Sequence, residues 1–107
     1  MEFQIDRIEP NGLVVGRNGD ADIPVGAVFV SLRKVRVDGD VPDLTTVASG
    51  GITALDLRLT EVHWFRTKID AIPRGHSAGL RLDGVGLETI ASALASRRER
   101  EFLYMRT

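Results

Sequence analysis

Five consecutive residues match the motif that carries the nucleophile of many serine hydrolases. Gly75-His76-Ser77-Ala78-Gly79 spells G-x-S-x-G, in which the serine sits on a sharp turn between a buried strand and a helix. Here residues 70–74 include a proline and an arginine instead of an apolar run, and residues 80–84 alternate with period two, as a strand does. Neither histidine follows Ser77 in the chain, so the triad order of that fold is missing. We interpret the motif as a turn between two strands and expect no enzyme activity from it.

Metal chemistry has two candidate sites in the sequence. His63 and His76 are the only histidines, and Asp56 or Glu61 would have to complete a site with them, but the spacing matches no recognised ligand set. Asp38-Gly39-Asp40 resembles the start of a calcium loop, yet the third acidic position and the distal glutamate of that loop are missing. We therefore expect neither a metal nor another cofactor.

The composition excludes several classes of protein. The chain has 107 residues and a formal net charge of −1, so it has no overall attraction for nucleic acid or anionic membranes. The lack of cysteine excludes disulfides and thiolate metal sites and suits a reducing compartment. No apolar run has the length of a bilayer span. We expect one cytoplasmic domain over residues 1–107, with no membrane partner.

Two basic strips interrupt this balanced charge. Arg33, Lys34 and Arg36 form the first, and Arg97, Arg98 and Arg100 form the second. Each has the charge to contact phosphates. Acidic residues elsewhere in the chain offset them, and a short run of charge is commonly a solvated face. We interpret both strips as solvated surface.

The elements that position these residues are mostly short strands. Apolar residues at 55, 57 and 59 and at 78, 80 and 82 alternate with polar neighbours, which predicts strands with one inward face. The alternation slips near Glu61-Val62, which predicts a β-bulge, and Trp64 or Phe65 is expected in the core. Residues 38–51 lack periodicity and predict a surface loop insertion.

The C-terminal part of the chain changes period. Leu87, Ile90, Ala91 and Leu94 share one face of a helix predicted over 87–98, and residues 102–105 predict a final strand. The fold class is therefore mainly β: a closed or nearly closed six- to seven-stranded antiparallel barrel with one C-terminal helix. The predicted core comprises Val15, Val28, Val30, Leu55, Leu57, Trp64, Leu80, Leu82, Ile90 and Leu94.

The order of the turns and strands resembles a known family. The chain reads NGLVVG over 11–16 and IPVGAVF over 23–29, then LTEVHWFR over 59–66 and IDAIPRGHSAGLRLDGV over 69–85. These segments resemble the β-barrel domain 2 of elongation factor Tu and related translational GTPases. Ala27 stands where that family usually has an aspartate, and the C-terminal helix departs from its usual ending.

The resemblance implies a barrel without its GTPase domain. The chain has no G-x-x-x-x-G-K-[ST] loop, so we expect no GTP binding. In that family the barrel contacts tRNA, the ribosome or the neighbouring GTPase domain. A protein or RNA partner is therefore what the resemblance implies here. The matched positions are fold glycines and apolar residues, so no contact residue is carried over.

Three hypotheses of function follow. The first is a non-catalytic binding module that contacts a translation component, RNA or protein, through an outward strand face with Arg58, His63, Arg66 and Lys68 and through the 38–51 loop. The second is a small-molecule-binding or enzymatic small barrel, with His63 or His76 in a pocket at its mouth. The third is a structural subunit of a larger assembly. Fold alone does not choose among them.

Overall fold

Alternating apolar residues form strands along most of the chain. The computed structural model describes all 107 residues, in ten strands and one helix. In chain order they are β1 (Glu2–Ile8), β2 (Val14–Asn18), β3 (Ile23–Pro24), β4 (Val28–Asp38), β5 (Thr45–Ala48), β6 (Thr53–Trp64), β7 (Thr67–Ile69), β8 (Ala71–Ile72), β9 (Ser77–Val85), α1 (Leu87–Ala95) and β10 (Glu101–Arg106). The helix lacks the length and apolar character that a membrane span requires.

Six strands close into a ring. Their order is β4, β10, β1, β2, β9 and β6, and β6 pairs back with β4. All of these pairs are antiparallel. β5 pairs with β4 and β7 with β6, while β3 and β8 form a separate two-stranded sheet. The predicted mainly β fold, with a six-stranded ring and one helix near the C-terminus, is confirmed.

The interior of the ring is filled by one apolar cluster of 17 buried residues. The predicted inward faces of β6 and β9 are confirmed, because residues 55, 57 and 59 and residues 78, 80 and 82 are all buried. The register between these strands shifts between Leu59 and Glu61, where the bulge was expected. Beyond the bulge, Val62 takes the inward position.

Several predicted core positions are wrong. Val28 and Val30 are 38% and 51% exposed, and Phe29 and Leu32 occupy the interior instead. The reason is a register shift between Phe29 and Ser31, which an unbroken apolar run does not reveal. Val15, Trp64 and Leu94 are half-buried, and Leu94 packs against the cluster from α1.

Two predicted boundaries also differ. Residues 38–51 are not loop throughout, because β5 pairs with the last part of β4 and makes a long hairpin. The helix ends at Ala95 and not at 98. The Arg98 N–H donates to Glu101 Oε1 at 2.7 Å, which turns the chain toward β10 immediately after the helix.

Gly16 marks where the ring is tightest. A β-bulge shifts the register of β1 between Ile5 and Arg7, beside Gly16 on β2. A Cβ at Gly16 would lie 1.9 Å from the Gln4 carbonyl oxygen, a distance that no backbone adjustment of ordinary size accommodates. Gly19 follows in the next turn, and a Cβ there would meet nothing within 4 Å.

Replacing Gly16 with alanine should therefore destabilise the ring. We expect the free energy of unfolding to fall by about 2 kcal/mol or more for Gly16→Ala, because β1 and β2 must separate to admit the methyl group. Chemical denaturation measures this directly. The matched control is Gly19→Ala, expected to change stability by less than about 0.5 kcal/mol. Equal effects of the two substitutions would contradict the close approach.

Candidate functional site

The hairpin between β6 and β7 ends in an unusual turn. Trp64 pairs with Thr67, so the loop contains only Phe65 and Arg66. Their φ angles are 48° and 65°, both in the left-handed region. Two-residue hairpins with two positive φ angles are normally made by Asn-Gly or similar pairs, because bulky side chains are strained there. This turn carries an aromatic and an arginine instead.

The turn displays a cluster of aromatic rings. Phe65 is 81% exposed, the largest exposure of any bulky apolar residue besides the equally exposed Val41. Its ring centroid lies 4.7 Å from that of Trp64, in an edge-on arrangement. Trp64 in turn meets the His76 ring edge-on at 5.5 Å. We call Trp64, Phe65, Arg66 and His76 the aromatic tip.

A buried amide fixes the second half of this cluster. Asn18 is fully buried at the end of β2, and its Nδ2 donates to the carbonyls of Ala21 at 2.6 Å and Ile72 at 2.9 Å. Its backbone N–H donates to the His76 carbonyl at 3.0 Å, and its carbonyl accepts the Gly75 N–H at 2.8 Å. The turn that carries His76 is thereby tied to strand β2. The His76 imidazole is held where it meets the Trp64 indole edge-on.

Three of the four predicted contact residues lie at this end of the molecule. His63 and Lys68 are opposite each other on β6 and β7, and both approach Glu61, with His63 Nε2 at 2.9 Å and Lys68 Nζ at 3.6 Å from its Oε1. The His63 hydrogen bond, with the Lys68 charge as a smaller cause, lowers the pKa of Glu61 below its usual range. Arg66 projects from the tip itself and is exposed.

Arg58 lies apart from the other three. It is exposed on β6, directly opposite Asp83 of β9 and on the far side of the bulge at residue 60. His63 lies five positions further along the chain, about 17 Å along a strand. The structure therefore places His63, Arg66 and Lys68 at one end and leaves Arg58 beside an acid in mid-strand.

Sequence reasoning missed the aromatic tip and its anchor. The segment HWFRT contains no glycine, asparagine or proline, so it gave no turn signal, and one of its two aromatics was expected in the core. Phe65 is exposed instead, and Trp64 is outside the buried cluster. The one available signal was the doublet of aromatics followed by arginine, a composition typical of binding surfaces.

The G-x-S-x-G segment has the geometry of a turn leading into a strand. Ser77 is the first residue of β9, is exposed, and pairs with Arg17 of the antiparallel strand β2. The strand then continues to Val85, where a nucleophile elbow would require a helix. No group of three or more acidic or histidine side chains that could hold a metal is present. None of the five main surface depressions is lined by His63 or His76.

The two basic strips come together at the opposite end of the molecule. A depression of about 430 Å³ lies where they meet, and we call it the polar shelf. It is lined by Lys34, Arg36, Ser49, Ser96, Arg98, Glu99 and Glu101. Arg36 pairs with Asp38 at 2.7 Å, and Glu101 accepts hydrogen bonds from Ser49 Oγ and the Arg98 N–H. The Arg98 N–H is the main cause that lowers the pKa of Glu101. Acids within the shelf thus balance much of its positive charge.

Comparison with known proteins adds no family to this description. No family model matches the sequence, and neither a curated protein nor a solved structure is significantly similar to it. Function has to be argued from the geometry of the chain itself, and the aromatic tip is the feature that geometry singles out.

Proposed function

We propose that this domain is a non-catalytic binding module that recognises another protein through the aromatic tip. The observation that carries the proposal is Phe65, held 81% exposed on a turn whose backbone disfavours it. Most of this apolar side chain is left in water, where it adds little to folding, and the left-handed conformation costs roughly 1–2 kcal/mol per non-glycine residue. Strain of this kind is typical of functional sites.

The composition of the tip suits a protein partner. Tryptophan and arginine are enriched among the residues that dominate protein–protein binding energy, and aromatic rings bury large areas at small entropic cost. Glu61 offsets the charge of Lys68 beside the tip, so the surface is not strongly basic. Phe65 would insert into an apolar pocket of the partner, with Arg66 and Lys68 forming polar contacts at the rim.

Single-stranded RNA is the second candidate partner. An exposed ring next to arginine and lysine is an arrangement on which bases stack. The resemblance to the translational barrel supports a translation component as the partner, whether RNA or protein. The net charge of −1 favours protein, because binding to RNA draws most of its affinity from phosphate contacts.

Replacing Phe65 with serine should abolish binding without unfolding the domain. We expect affinity capture from cell extract with the tagged wild-type chain to recover one stoichiometric protein, with or without nuclease. The Phe65→Ser variant should recover at least tenfold less of that protein. The control is Val85→Ser, which removes a residue that is 74% exposed elsewhere on the surface. Recovery that depends on RNA would favour the second candidate, and undiminished capture by Phe65→Ser would contradict both.

Replacing the two turn residues with ones that favour positive φ angles should stabilise the domain. The double variant Phe65→Asn/Arg66→Gly relieves the strain of two positive φ angles, and we expect the free energy of unfolding to rise by about 1–2 kcal/mol. Its control, Phe65→Ala/Arg66→Ala, deletes the same side chains and retains the strain, so it should gain no stability. Thermal or chemical denaturation distinguishes the two. A wild-type turn as stable as the Asn-Gly turn would refute the strain argument.

A further inference from the structure

The outer edge of β5 is an unpaired strand edge. β5 pairs with β4 on one side only, in the register Val35 to Ala48 through Asp38 to Thr45. The Ser49 N–H donates to the Lys34 carbonyl at 2.9 Å, so the alternation of an antiparallel pair directs residues 45, 47 and 49 toward β4. The N–H and C=O groups of Thr46 and Ala48 therefore point away from the sheet and are free to pair with another strand.

β5 has only four residues, but its side chains carry neither of the features that normally block pairing. Thr45-Thr46-Val47-Ala48 contains no charge and no proline, and all four residues are exposed. Edge strands are usually protected by lysine, proline or extreme shortness. The other added strand, β7, has that protection, since it is only three residues long and contains Lys68. β5 is the edge of this fold that is open to strand addition.

Exposed apolar side chains accumulate around the same edge. Val41, Leu44, Val47 and Ile52 are 81%, 48%, 41% and 75% exposed, and they account for four of the ten exposed large hydrophobic residues. Val41 and Leu44 precede Val47 in the chain, and Ile52 follows it. A partner strand that covered only one half of the edge would leave the other half in water.

We propose that β5 pairs antiparallel with β5 of a second copy of this chain, about a two-fold axis through Val47. Thr46 of one copy then lies opposite Ala48 of the other, and the free groups of these residues make four hydrogen bonds across the axis. Val47 meets its own counterpart at the closely spaced, non-hydrogen-bonded position, where side chains approach most closely.

Exposed apolar residues flank β5 on both sides. Leu44 directly precedes the strand, and Ile52 follows its last residue by four positions. Neither Gly50 nor Gly51 has a neighbour within 4 Å of where a Cβ would be, so the chain just after β5 leaves open space for an approaching copy. The single axis therefore covers exposed apolar residues on both sides of Val47, as an isologous interface must.

The charges of the hairpin are also self-complementary. Its far end carries Asp40 and Asp43, and neither forms an ion pair within the chain. Its near end adjoins the polar shelf, where Ser49 lies beside Arg98, a cation that forms no ion pair within the chain. Antiparallel pairing brings the acidic end of each copy beside the shelf of the other. Opposite charges at both ends favour a second copy over an arbitrary peptide.

The interface is small, so the association should be weak and concentration-dependent. We expect sedimentation of the full chain over a concentration series to show a monomer–dimer equilibrium, and amide exchange of Thr46 and Ala48 to slow at least tenfold where the dimer dominates. The amide of Val47, already bonded to β4, should change much less. Val47→Lys should raise the dissociation constant at least tenfold, because it places two ammonium groups together on the axis.

The control is Val25→Lys, which places the same charge on a residue that is 40% exposed in the turn before β4, whereas β5 pairs with the last four residues of that strand. It should dimerise as the wild type does. A chain that stays monomeric at every accessible concentration would overturn the proposal. So would a dimer that Val47→Lys leaves intact, or one in which Thr46 and Ala48 exchange as fast as in the monomer.

Discussion

The pairing of β4 with β6 closes the ring, and the rest of the structure depends on it. These strands are 11 and 12 residues long, the longest in the chain, and their contact closes six strands into a ring that leaves free edges only on strands added outside it. A ring of only six strands curves sharply, and the register shifts in β1, β4 and β6 supply that curvature. Glycine is required where backbones approach most closely. At Gly84 a Cβ would lie 2.0 Å from the Asp56 carbonyl oxygen.

Closure also determines where the chain can contact other molecules. The interior is filled by side chains, and the two surfaces that we propose for contact with partners lie where the long strands extend past the ring. At one end β6 continues into the short hairpin with β7 and presents the aromatic tip. At the other end β4 continues into the hairpin with β5 and presents a free edge. Strand β6 spans about 36 Å between these two regions, so pairing through β5 would direct two aromatic tips away from each other.

The fold was largely predictable because alternation is a local signal. The inward faces of β6 and β9, the bulge after Leu59 and the strand after α1 all follow from the spacing of apolar residues. Prediction failed where the signal is not local. The run Val28-Phe29-Val30 shows no alternation, so its phase was set by a bulge that only pairing with β6 reveals. Asn18 is buried because its side chain donates to the Ile72 carbonyl, a contact 54 residues away that no local pattern reveals. The aromatic tip was not predicted because its two-residue turn is made by Phe65 and Arg66, which disfavour the positive φ angles that the turn requires.

If Phe65 is the residue that contacts a partner, site-specific photo-crosslinking should capture that partner even while it is unidentified. A benzophenone side chain at position 65 keeps the aromatic character of the tip, and the same group at position 85 reports on a slightly less exposed position on another strand. On irradiation in cells, we expect one discrete adduct from position 65 and none from position 85. No adduct from position 65, or the same adducts from both positions, would contradict it.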